Sequence, residues 1–157
     1  MELNPRIVES KEEQGRRIVT EVLNYYGVNQ IEPSVNQYEH FDLSYTGMSI
    51  VAKVEIKYRI DYPSTHFKAV ILQQDKYDYL MKEFKEDPTH TPLYWTVWKD
   101  KVSWIVDLTK LQPKWEKKEM RLNNEEGRKV YKDVCLIPFN KEKKEEGKWI
   151  IPYKKES

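Results

Sequence analysis

Residues 38–60 read YEHFDLSYTGMSIVAKVEIKYRI. Apolar and polar residues alternate on both sides of Thr46-Gly47, a turn-like pair, and a period of two broken by a tight turn is the pattern of a β-hairpin. In the second arm Ile50, Ala52, Val54, Ile56, Tyr58 and Ile60 share one face, while Val51, Lys53, Glu55, Lys57 and Arg59 share the other. One face packs; the other is wet or does chemistry.

Upstream, SKEEQGRRIVTEVLNYYG (residues 10–27) predicts a helix. Ser10 followed by Glu13 is a capping-box pattern, and Gly27 suits the position just past the last turn. Ile18, Val19, Val22, Leu23 and Tyr26 recur at helical spacing and form one apolar stripe. At 100° per residue Glu12 projects near the middle of that stripe, whereas Glu13 and Glu21 project away from it. Downstream, the proline in DYPSTHF (residues 61–67) interrupts the alternation and KAVIL (68–72) resumes a short strand. DKYDYLMKEFKED (75–87) then predicts a helix with Tyr77, Leu80, Met81 and Phe84 inward, ended by Pro88. PLYWTVW (92–98) and VSWIVDL (102–108) read as strands joined by a turn at Lys99-Asp100. The order is αβββ-α-ββ. Beyond it the charge runs leave two short strands, near residues 129–138 and 148–153, and KEKKEE (141–146) reads as a solvated tip.

The chain has 157 residues and a mass of 19.0 kDa, which favours one domain, with a core over about residues 10–108 and a β-rich extension over about 109–157. Hydrophobic residues at 39% suffice for a packed core. Lys plus Arg total 27 against 26 Asp plus Glu, so any attraction for a polyanion must come from local clustering and not from net charge. Cys135 has no internal disulfide partner and sits in the apolar run VCLIPF, where packing is its simplest role. No apolar stretch nears the ~20 residues that cross a bilayer, and MELNPRIVESKEEQ lacks the apolar core of a signal peptide, so a cytoplasmic protein without membrane contact is expected. His40, His66 and His90 show no metal-ligand spacing; for His40 and His66, near the motif in sequence, a loop hydrogen bond is the simplest role and a phosphate contact or the orienting of a water the functional one.

Chemistry concentrates in the hairpin. Alternation puts Glu55 and Lys57 on one side and the hairpin brings Asp42 beside them, so two carboxylates and an ammonium converge. Hard carboxylate oxygens, with a main-chain carbonyl and waters, suit Mg²⁺. Such an ion polarises a phosphoryl oxygen and acidifies a bound water, and a neighbouring lysine orients that water or stabilises developing charge, which is the equipment of a hydrolytic phosphodiesterase. Lys53 and Arg59 share the Glu55 face, and Lys68 and Lys76 flank it, as candidates for holding phosphates. Trp95, Trp98, Trp104, Trp115 and Trp149 could stack bases, but tryptophans in strands more often fill a core or an interface.

Asp42, a hairpin turn and then Glu55-Ile56-Lys57, set in an αβββαβ order, resemble the PD-(D/E)XK nucleases, the restriction-endonuclease-like superfamily that includes Holliday junction resolvases. The resemblance spans roughly residues 10–108 and implies an α/β fold with a central mixed sheet flanked by helices. It further implies a metal-dependent nuclease that hydrolyses DNA with Mg²⁺ or Mn²⁺, RNA being a second substrate class. Asp42 and Glu55 would bind the metal, Ile56 would lend its carbonyl oxygen and Lys57 would be the catalytic lysine. Glu12 matches the first-helix glutamate of many members, with Glu13 and Glu21 as alternatives. Phe41 stands where the family name has proline. Gln73 and Tyr77, four apart, resemble the QxxxY element of RecB-like members, which would put Gln73 among the nucleic-acid-binding residues; an N-cap at Asp75 would leave Gln73 outside the helix. Many small members are homodimers. The alternative is a non-catalytic nucleic-acid-binding or assembly module on the same scaffold.

Overall fold

A computed structural model describes residues 10–34, 41–121 and 129–152. Helix α1 spans Lys11–Tyr25, and Ser10 caps it by accepting a hydrogen bond from the Glu13 N–H at 3.1 Å. Its stripe buries Ile18, Val19, Val22 and Leu23, but Tyr26 is exposed. The helix ends at Tyr25, so Tyr26 takes a capping conformation and leaves the stripe, and Val28 turns into the core in its place.

Strands β1 (Gln30–Pro33), β2 (Leu43–Gly47), β3 (Ile50–Arg59), β4 (Ala69–Gln73), helix α2 (Gln74–Glu86), β5 (Thr91–Trp98), β6 (Ser103–Asp107), β7 (Glu116–Arg121), β8 (Lys129–Pro138) and β9 (Lys148–Ile151) complete the order. They form a six-stranded sheet, β1-β2-β3-β5-β6-β9, and a three-stranded one, β4-β8-β7. In the larger sheet β3 and β5 are parallel and every other neighbouring pair is antiparallel.

The β2–β3 hairpin turns at Met48-Ser49 and not at Thr46-Gly47, because Gly47 still pairs with Ile50. Met48 and Ser49 both have positive φ, 52° and 68°, as a two-residue turn matched to strand twist requires. Helix α2 starts at Gln74 with Gln73 as its N-cap, so Asp75 lies in the first turn and does not cap. The sequence pattern missed β1 and β7. Both are short and largely exposed, so neither carries an apolar alternation.

Two cores sandwich the large sheet. On one face Ile18, Val19, Val22 and Leu23 of α1 pack on Leu43, Ala52, Val54, Leu93, Trp95, Val97 and Ile105. On the other, Tyr94, Trp98, Trp104 and Val106 meet α2 through Leu80, and the small sheet through Val70, Leu72, Cys135 and Ile137. The second layer covers β5 and β6, while the equivalent face of β3 holds Lys53, Glu55, Lys57 and Arg59. A cleft of about 960 Å³ opens along that face.

Candidate active site

The register that pairs Leu43 with Val54 places Asp42, one residue earlier, across from Glu55. Backbone pairing reaches that far, since the Asp42 N–H donates to the Val54 carbonyl at 2.7 Å. Asp42 Oδ2 also accepts from the Ile56 N–H at 2.7 Å, which fixes the carboxylate against β3. Gly15 brings α1 close to β3: a Cβ there would meet Ile56 Cγ2 at 3.1 Å. One helical residue along, Arg16 Nη1 stands 4.0 Å from Asp42 Oδ1. From α2, Lys76 Nζ donates to Glu55 Oε1 at 2.6 Å.

Glu55 is 8% exposed. Burial, and then the negative charge of Asp42, push its pKa up to about 7, against the pull of Lys76. Burial also raises Asp42, although the Ile56 N–H, Lys76 and Arg16 favour its ionised form and Glu12 opposes it. Two carboxylates in a dry wall repel each other, and Lys76 and Arg16 offset part of that repulsion. Desolvation by the cleft walls, with the charges of Arg59, Lys76 and Lys11, lowers the pKa of Lys57, and Glu55 opposes that. Burial alone would lower Lys76 too, but the charge and hydrogen bond of Glu55, with Asp42 and Asp75, outweigh it and raise its pKa.

The structure brings Glu12, Asp42, Glu55, Ile56, Lys57 and Arg59 to one cleft, and Gln73 and Lys76 border it. Glu12 is exposed at the cleft edge and not packed on the sheet, because the buried stripe of α1 begins at Gly15. Lys53 and Lys68 lie outside the cleft. Lys53 Nζ sits 5.2 Å from the centre of the Phe41 ring and 3.9 Å from Glu83, while Lys68 is exposed beside Phe139, whose N–H donates to its carbonyl. Gln73 accepts from Lys132 Nζ at 3.2 Å, but Tyr77 packs against Trp115, so the two do not face the cleft together. His66 stacks on Tyr62 and His90 bonds Asp87 and Thr89, while His40 lies outside the described residues. Trp95, Trp98 and Trp104 are core, and Trp149 is exposed.

Arg16, Tyr94 and Tyr62 are among the cleft residues that escaped the sequence pattern. Arg16 had a signal, its i+4 spacing from Glu12. Tyr94, across from Glu55 on β5, and Tyr62, beyond the end of β3, had none. Among the described residues no three His, Cys, Asp or Glu side chains gather as a preformed metal cage. Asp42, Glu55 and the Ile56 carbonyl are all hard oxygen donors, and Lys76 Nζ already lies against one of the two carboxylates. That donor set fits a magnesium-type ion, which keeps several waters and takes only one or two carboxylates.

No family model matches this chain, and no curated protein matches its sequence. Among solved structures the chain is similar to Hjc, a Holliday junction resolvase from Archaeoglobus fulgidus, with a TM-score of 0.54 and 11% identity, over 82% of this chain and 84% of that one. The chain shares the restriction-endonuclease-like fold with that protein.

Proposed function

We propose that this protein is a nuclease that hydrolyses phosphodiester bonds in DNA with a divalent cation, Mg²⁺ or Mn²⁺. The observation that carries the proposal is the juxtaposition, in one cleft, of the paired carboxylates Asp42 and Glu55 with Lys57 and Arg59. An ordinary wet strand face would leave Glu55 with an unperturbed pKa, and a strongly raised one in a cleft is a mark of functional sites.

Asp42, Glu55 and the Ile56 carbonyl would hold the ion, with Glu12 reaching it directly or through water. When bound, the ion polarises a phosphoryl oxygen and acidifies a water. The chain's own residues do the rest. The Ile56 N–H locks the Asp42 carboxylate, so its position does not have to be found anew with each substrate. Lys57, its ammonium partly desolvated, orients the attacking water or neutralises charge that develops on the phosphorus oxygens. Arg59, farther along β3, and Arg16, beside Asp42, hold the flanking phosphates and fix the backbone without reading sequence. Lys76 pulls Glu55 towards its ionised form, against the burial and the Asp42 charge that favour its protonation. The Hjc neighbour is a Holliday junction resolvase, and its activity suggests branched DNA as the substrate to try first.

The test is a titration of Mg²⁺ and Mn²⁺ against labelled duplex, flap, single-strand and four-way-junction DNA, with Asp42→Ala and Glu55→Ala in parallel. Metal-dependent cleavage by the parent and a loss of about a thousandfold in either variant are expected. Salt-sensitive binding without cleavage on any substrate would replace the nuclease by a binding module.

A further inference from the structure

The cleft continues past Lys57 and Arg59 of β3. Beyond Arg59 the chain leaves the sheet through Ile60 and Asp61, and Tyr62 borders the same cleft. The Tyr62 ring stacks on His66 with centroids 4.7 Å apart and planes 24° from parallel. Phe67 meets both rings edge-on, at 5.1 and 4.6 Å, and is itself stacked at 5.7 Å on the buried Trp98. Tyr62 and Phe67 each remain 39% exposed. Single exposed aromatics are commonplace, but this is a pile of rings built outward from the core and ending at the cleft.

The loop is pinned from below. The Ser64 hydroxyl donates to Asp100 at 2.6 Å and its N–H to the same carboxylate at 3.2 Å, with Ser64 only 2% exposed. The Lys99 N–H donates to the Tyr62 carbonyl at 2.9 Å, and the His66 N–H to Pro63 at 3.0 Å. Folding has therefore already ordered this surface, and a ligand there loses little affinity to loop ordering.

We infer that Tyr62 is a stacking ledge for an unpaired nucleobase beside the scissile phosphate, so that the protein selects nucleic acid with single-stranded character at the cut over continuous duplex. This rests on the nuclease reading of the same cleft and names the substrate class within it. Lys57 and Arg59 line the path along which a phosphate backbone runs towards the ledge. Asp61, exposed beside Tyr62, repels phosphate there, so the strand turns a base and not its backbone to the ring. A base inside a duplex has both faces covered by its neighbours, and only an unpaired one can offer a face to tyrosine. Stacking of this kind tolerates any base and contributes about tenfold or more per base. Tyr62 lies seven residues beyond Glu55, no more than about 25 Å of extended chain, so the unpaired position falls within a few nucleotides of the cut.

Fluorescence anisotropy tests this with one labelled duplex in two forms, fully paired and carrying a short single-stranded tail, in EDTA and again with Ca²⁺. The parent is expected to bind the tailed form about tenfold tighter, and Tyr62→Leu, which keeps apolar packing on His66 and Phe67 but removes the flat ring, should bring the ratio near one. Tyr62→Trp should restore the preference, which a merely structural role for the ring would not predict. A parent that binds both forms alike, or neither, overturns the inference, as does a Tyr62→Leu protein that keeps the ratio. Because the readout is binding, it stands apart from the cleavage assay: loss of the ledge preference leaves Asp42 and Glu55 to be judged by cleavage, and absence of cleavage leaves the ratio interpretable.

Discussion

Strands β3 and β5 lie side by side in parallel register, from Ala52 opposite Thr91 to Arg59 opposite Trp98, yet they live in different solvents. Leu93, Tyr94, Trp95, Thr96, Val97 and Trp98 of β5 are all at most 5% exposed, because α1 covers one face and α2 with the small sheet covers the other. On β3 only the α1 face is sealed, through Ala52 and Val54, while Lys57 is exposed and Arg59 half-buried. A strand dry on both faces can hold no working charge, and one wet on a whole face cannot perturb one. Glu55 stands at the border, backed by Tyr94 and open to the cleft, and that is where a carboxylate is both desolvated enough to change its pKa and accessible enough to meet a ligand.

The contrast breaks most visibly under large truncations. Trp98→Ala on the covered face should cost about 3–5 kcal/mol of stability, read from urea denaturation. Lys57→Met on the open face should change stability by less than about 0.5 kcal/mol while lowering cleavage about a hundredfold or more. If the two variants unfold alike, the faces are not distinct.

A second measurement sharpens the contrast through pH. Below pH 4.5 the Glu55 carboxyl is protonated in folded and unfolded chains alike; between 4.5 and about 7 the unfolded chain releases the proton and the folded chain keeps it. Stability should therefore fall as pH climbs through that window, by about 3 kcal/mol, and level off above it. Glu55→Gln should flatten the profile and make the protein more stable than the parent at pH 8. An unchanged profile would mean that Glu55 is not desolvated.

Smaller effects probe how the two faces are joined. Arg16→Ala should lower affinity for DNA several-fold and reduce its salt dependence, with a stability change within about 0.5 kcal/mol, since its approach to Asp42 is long and partly exposed. Met48→Asn with Ser49→Gly should stabilise the hairpin by about 1 kcal/mol in thermal melts, because those residues relieve two side chains held at positive φ.

Much of this was legible beforehand, for identifiable reasons. The capping of α1 by Ser10, the hairpin, and the continuous apolar runs of β5 and β6 depend on neighbours within a few residues. So does the sharing of a face by Glu55 and Lys57. What stayed hidden was non-local. KAVIL reads as a strand, but nothing in it says that β4 leaves the large sheet to pair with β8, from Ala69 opposite Pro138 to Gln73 opposite Val134. Lys53 reads as equivalent to Arg59, and only packing turns it towards Phe41 and Glu83 while Arg59 lines the cleft.

The sequence by itself determined the elements and the residues that share each face, because periodicity of two or 3.6 is a property of a single strand or helix. Only the tertiary structure decided which face of β3 stayed open, where Lys76 and Arg16 arrive, and that Tyr62 lines the cleft. Those outcomes depend on which distant segments cover which surface, and burial, with the dielectric that turns a carboxylate into a perturbed one, is set by that coverage and not by any local run of residues.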